Sequence, residues 1–247
     1  LPVAQANIDE STQIAMLAAV CDATPQRDDD GFLGCHFCPD YTSGKGLEGG
    51  FRLNTIHQGR FTGLGEPQQV LLDMEGCEPH SNEFGGSVLL GQESNHWQRI
   101  AYFPAFRTDD CLHFYYPNRP DRLVCNESES AQGIIVGEVV AMWIGQSHLQ
   151  QQSLLSWFDN QGTEDNQVIS IVPIDWQQHD MNDDGIKDLV ITVKVQQFLL
   201  SDDEASRPKP SIDTLSYLFR NDHFELTSES QQTQQKLDQL VNNARQN

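Results

Sequence analysis

Short apolar runs recur along most of this chain, and turn residues separate them. Val70-Leu71-Leu72, Val88-Leu89-Leu90, Ile100-Ala101-Tyr102-Phe103, Leu123-Val124-Cys125, Ile134-Ile135-Val136 and Val139-Val140-Ala141-Met142-Trp143 come first. Val168-Ile169-Ser170-Ile171-Val172, Leu189 to Val195, and Leu215-Ser216-Tyr217-Leu218-Phe219 follow. Such runs, bounded by Gly, Asn, Asp and Pro, predict strands from about Phe51 onward. The two ends carry a different period. Across residues 7–22, Ile14, Leu17, Ala18 and Cys21 keep the i, i+3, i+4, i+7 spacing of one helix face, with Asp9 or Ser11 as candidate N-cap. Leu237, Leu240, Val241 and Ala244 form a narrow apolar stripe in a Gln-rich tail, which predicts a second helix. Two polar stretches interrupt the pattern. Residues 23–50, with Asp28-Asp29-Asp30-Gly31, Pro39, Gly44, Gly46, Gly49 and Gly50, read as loop. Residues 201–210, with Pro208 and Pro210, read as a second loop.

One stretch departs from ordinary turn composition. Asp180-Met181-Asn182-Asp183-Asp184-Gly185-Ile186-Lys187-Asp188 spaces side-chain oxygens at loop positions one, three, five and nine. Gly185 stands where a tight ligand loop needs freedom in φ. Hard oxygen donors on alternate residues of a sharp turn suit Ca²⁺, which takes about six to eight oxygens. Asp180, Asn182, Asp184 and Asp188 are the candidate side-chain ligands, with the Ile186 carbonyl as a backbone ligand. The competing reading is a solvated Asp/Asn turn. An EF-hand needs Glu at position twelve and a helix after the loop. Here position twelve is Ile191, inside a strand-like run. A strand after a D-x-N-x-D-G-x-x-D loop resembles the calcium loops of FG-GAP and VCBS repeats, the blades of integrin-type β-propellers. The resemblance is sharp over Asp180 to Ile191 and weak elsewhere.

A fainter copy of this skeleton lies upstream. Gly59 to Leu72 aligns on the loop without gaps, Phe61 falling on Met181, Gly65 on Gly185 and Val70-Leu71 on Val190-Ile191. The ligands do not recur: Arg60, Leu64 and Gln68 stand where Asp180, Asp184 and Asp188 would be. Together with a degenerate middle copy over Arg119 to Cys125, this suggests three units of about 60 residues. The expected fold is mainly β: a propeller-like or irregular array of about three blade-like antiparallel sheets with short N- and C-terminal helices. The expected division is 1–50 for the N-terminal helix and cysteine-containing loops, 51–228 for the β domain and 229–247 for the C-terminal helix.

Charge and cysteine content narrow the setting. The 247 residues carry a net charge of −21, which argues against nucleic acid and anionic membrane surfaces as partners. No apolar run is long enough for a transmembrane helix. Cys21, Cys35, Cys38, Cys77, Cys111 and Cys125 make an even set, read as disulfides of an exported protein: periplasmic, cell-surface or extracellular. Ala4-Gln5-Ala6 has the look of a signal-cleavage site. Cys111 and Cys125 flank a turn-rich segment that a bridge between them would staple; the other four stay unassigned.

Other chemistry finds less support. Cys35-His36-Phe37-Cys38 is followed by Pro39, not by a helix start or a haem-ligating His. The dispersed histidines, among them His57 and His113, are expected on the surface or satisfied in the core. Gln146-Ser147-His148 places Ser and His side by side without triad geometry. Asn126-Glu127-Ser128 is a glycosylation sequon, and the four Trp residues fit a core better than a glycan platform. Two functions remain. The first is an exported calcium-stabilised β module, structural or protein-binding, in an extracellular or envelope assembly. The second is a secreted hydrolase acting on a glycan or peptide, with no nominated catalytic pair.

Overall fold

The computed structural model describes residues 8–63, 68–78, 84–117, 119–145, 148–163, 166–201 and 203–246. Ala4-Gln5-Ala6, Leu64 and Gly65 of the upstream loop, and Gln146-Ser147 lie outside these. Among the described residues the strands form two antiparallel sheets. The six-stranded sheet runs in chain order: β1 (Gln26–Arg27), β2 (Leu33–Phe37), β3 (Glu48–Gly59), β4 (Gln69–Glu75), β5 (Gly85–Glu93) and β6 (His96–Pro104). The eight-stranded sheet continues with β7 (Cys111–Phe114), β8 (Arg122–Ala131), β9 (Ile134–Gly145), β10 (His148–Asp159), β11 (Gln167–His179), β12 (Asp188–Leu199), β13 (Ser211–Arg220) and β14 (His223–Leu226).

The mainly β class and the two terminal helices are as expected, but the array of three blade-like sheets is not. There are two sheets, and neither closes into a barrel or propeller. The physical reason is connectivity. Successive strands pair with their predecessors, so each sheet grows as a meander; among the described strands the break falls between β6 and β7. By contact density the chain forms two compact units: Leu1–Leu123 with Trp143–Gln150, and Val124–Met142 with Gln151–Asn247.

In the first unit, α1 (Glu10–Leu17) packs on β2 and β6. Asp9 is its N-cap, its side chain accepting the Thr12 N–H at 3.0 Å. The buried face is not the expected one. Met16, Leu17, Val20 and Cys21 are buried, whereas Ile14 is 39% exposed and Ala18 is exposed. The helix ends at Leu17, and the turn beyond it carries Val20 and Cys21 inward, so a stripe drawn through one continuous helix misplaces the face. Two bridges close this core, Cys21–Cys35 and Cys38–Cys77. Cys111 and Cys125 are also disulfide-bonded, and no cysteine is free among the described residues. The loop-rich reading of 23–50 missed β1, β2 and the start of β3. Within it the acidic run has a structural use: Asp28 accepts the N–H groups of Asp30 and Phe32, and Arg52 reaches Asp28 at 2.6 Å and Asp30 at 3.0 Å.

In the second unit, α2 (Gln231–Gln246) lies on β11 and β13. Leu237, Val241 and Ala244 are buried, as their spacing predicts. The backbone groups of Ser216 on β13 are taken up past the end of its pairing with β14. Beyond the end of β14, Thr227 N–H donates to the Ser216 carbonyl at 2.9 Å, and the Ser230 hydroxyl accepts Ser216 N–H at 2.9 Å.

Candidate metal centre

The loop over 180–187 joins β11 to β12, whose last paired residues at this end are His179 and Asp188. Its fold follows from short acceptor side chains bonding backbone N–H groups a few residues ahead. Asp180 accepts Asp184 N–H on Oδ1 at 3.1 Å and Gly185 N–H on Oδ2 at 2.9 Å. Asn182 Oδ1 also accepts Asp184 N–H, at 3.3 Å. Asp184 Oδ1 accepts Ile186 N–H at 2.7 Å, and its Oδ2 accepts the Asn182 amide at 2.9 Å. The chain turns through the left-handed region at Asp183 (φ 59°) and Gly185 (φ 79°). Asp is among the residues that tolerate this region, and Gly adopts it freely.

Asp180, Asn182 and Asp184 are thus drawn together on one loop, and Asn182 and Asp184 are exposed. Each oxygen that accepts a single N–H keeps a second acceptor site, so a hard cation can be added to this donor set without unfolding the loop. Among the described residues, no three His, Cys, Asp or Glu side chains converge as a metal-binding group. The oxygen-bearing side chains that the loop's own hydrogen bonds bring together are those of Asp180, Asn182 and Asp184.

Asp188 is placed differently. It is fully buried, Oδ2 accepting Met181 N–H at 2.9 Å and Oδ1 accepting Phe219 N–H on β13 at 2.8 Å. It ties the loop entrance to the adjacent strand. Asp188→Ala removes a buried acceptor of two backbone N–H groups and is expected to cost about 1–3 kcal/mol. Denaturant unfolding in chelator checks this. The loss should appear there in full, whereas Asp184→Ala should leave the chelated protein unchanged or slightly steadier.

The same device recurs at every fourth strand. At the start of β4, Gln69 is buried and its Oε1 accepts the N–H groups of Phe61 (2.8 Å) and Thr62 (3.1 Å). Before β8, Asp121 is buried and accepts Tyr116 N–H at 3.2 Å and Arg60 N–H at 2.9 Å. The gapless alignment put Gln68 opposite Asp188, but Gln69 performs the equivalent bonding. The available signal was a polar residue directly ahead of an apolar run.

Other candidates resolve into structure. Cys35 and Cys38 pair with different partners and not with each other. The sequon residue Asn126 accepts the Trp157 indole N–H at 2.9 Å. His57 and His113 are buried, His57 Nε2 lying 2.7 Å from the Thr108 carbonyl and His113 Nε2 3.2 Å from Asp121 Oδ2. No helix is long and apolar enough to cross a membrane, among the described residues. Comparisons with protein-family models, with curated proteins and with solved structures find no match for this chain.

Proposed function

We propose that this chain is an exported, calcium-stabilised β module that serves as a structural or protein-binding part of a larger extracellular or envelope assembly. The observation that carries the reading is the loop over Asp180–Asp188, whose oxygen-bearing side chains are already drawn together by loop hydrogen bonds and lead into a buried strand. Its resemblance to FG-GAP and VCBS calcium loops supports the same role. Three disulfides in a mainly β chain fit an exported protein. Calcium would offset the mutual repulsion of Asp180 and Asp184 and brace the β11–β12 connection.

Calorimetric titration of the chelated protein tests this. One Ca²⁺ per chain is expected, with Mg²⁺ a poor competitor because it holds its water and demands a small octahedral shell. Binding only to the folded state should raise stability by about 2.7 kcal/mol at a hundredfold excess over Kd. Asp184→Ala should abolish both the heat and the gain. An absence of heat and of any calcium-dependent melting shift would leave only a solvated turn. The partner-binding part is tested by capture from the native source with calcium and then with chelator. Equal recovery under both conditions would remove calcium from that role.

A further inference from the structure

Away from the metal loop, β3 and the segment leading into and out of β7 enclose a buried polar cluster. Thr108, fully buried, is held from two sides. Its N–H donates to Asp73 Oδ1 at 2.8 Å, and its carbonyl lies 2.7 Å from His57 Nε2. A carbonyl only accepts, so His57 carries its proton on Nε2. One step along, His113 Nε2 stands 3.2 Å from Asp121 Oδ2. Its ring is stacked against Tyr115, with centroids 3.9 Å apart, and against Phe61 at 5.3 Å. The two imidazoles meet edge to face, with centroids 5.9 Å apart. Gly59 lets the layers meet: a Cβ there would lie 2.5 Å from Asp121 Oδ2 and 2.9 Å from the His113 ring.

We propose that His57, bonded to the Thr108 carbonyl, is the acid-sensitive element of a latch that holds residues 105–117 onto β3 near neutral pH and loosens in mildly acidic solution. The metal loop plays no part in it. Burial holds the basicity of His57 below its ordinary value; the Thr108 carbonyl pulls the other way, the facing His113 adds to the depression, and Asp73 opposes it. The Asp73 carboxylate is itself taken up by Arg107, at 2.9 and 2.8 Å. The charged and titratable groups facing the pair are therefore Asp73 with Arg107, Asp121 and Tyr115. The carboxylates ordinarily titrate well below the histidine range and Tyr well above it. When the segment opens, His57 meets water and regains its ordinary affinity for a proton. The open form then takes up a proton that the closed form refuses. Opening is pH-independent above about 6.5 and is favoured by up to about tenfold per pH unit below it, until the closed form is protonated as well.

Native-state hydrogen exchange of the Thr108 and Phe114 amides between pH 7.5 and 5.0 reads the opening constant. In the wild type it should rise about tenfold per unit below pH 6.5. In His57→Gln it should stay flat, since Gln still donates to the Thr108 carbonyl and does not titrate in this range. His36→Gln, at an exposed position, should keep the wild-type slope. Equal slopes in the wild type and His57→Gln would overturn the latch. Should His57→Gln fail to fold, NMR titration of the His57 ring in the wild type decides: a midpoint well below 6.5 supports the latch, and one at or above 6.5 overturns it.

Discussion

Arg107→Met is expected to destabilise the protein by about 3–5 kcal/mol, the cost of leaving a buried charge without its partner. Asp73 on β4 has no exposed surface. Its carboxylate is met by Arg107 Nε and Nη2, by the Thr108 N–H and by the Asn54 amide at 3.1 Å. Removing the guanidinium leaves two neutral donors facing a full negative charge, with water excluded. The Arg107 guanidinium shows the strength of the coupling: burial pulls its proton affinity down, yet the bonds and charge of Asp73 carry it above its ordinary value. A second variant separates charge loss from packing loss. In Asp73→Asn with Arg107→Met no charge is stranded and the Thr108 N–H keeps an acceptor, so stability should return to within about 1–2 kcal/mol of the wild type. Urea unfolding of the three proteins checks this. If the double variant is as unstable as Arg107→Met alone, the harm comes from packing and the ion-pair account fails.

Breaking the Cys38–Cys77 bridge should cost about 4 kcal/mol, because it releases a long loop in the unfolded chain. The bridge spans 39 residues and closes β3 and β4 over the α1 core. The Cys21–Cys35 bridge spans only 14 residues and should contribute about 3 kcal/mol. Local packing reinforces the longer one. Gly44 donates its N–H to the Cys77 carbonyl at 2.8 Å, and a Cβ on Gly44 would come within 3.2 Å of Cys38 Sγ. Cys38→Ala with Cys77→Ala should lower the melting temperature by about 8–16 °C, taking about 2–4 °C per kcal/mol for a chain of this size. The paired variant at Cys21 and Cys35 should lose less. Identical melting of the wild type and the Cys38–Cys77 variant would show that the bridge is not a stabilising element.

The parts of this protein that its sequence alone determined are those governed by short-range chemistry. Strand-forming runs were readable because burial on a sheet selects short apolar segments between turn residues. The face of α2 was readable because Leu237, Val241 and Ala244 lie on one uninterrupted helix. The turn at Gly185 was readable because a chain of Asp and Asn acceptors bends its own backbone, which needs no distant partner. Tertiary structure decided the rest. In α1 the helix stops at Leu17, and what lies against β2 and β6 sets which residues turn inward, so Ile14 stays out while Met16 goes in. Six cysteines allow 15 pairings, and α1 packed on β2 brings Cys21 to Cys35 while Cys38 pairs with Cys77, beyond β4. The loop residue Asp188 looked like one oxygen donor among several. Its burial, with bonds to Met181 and to the β13 residue Phe219, adds a strand tie that no local pattern foretells, set by a neighbour 31 positions away. The same holds for the division into two sheets and for the cluster of His57, Thr108 and His113. Periodicity reports which residues want to be buried, but partners far along the chain decide what they are buried against.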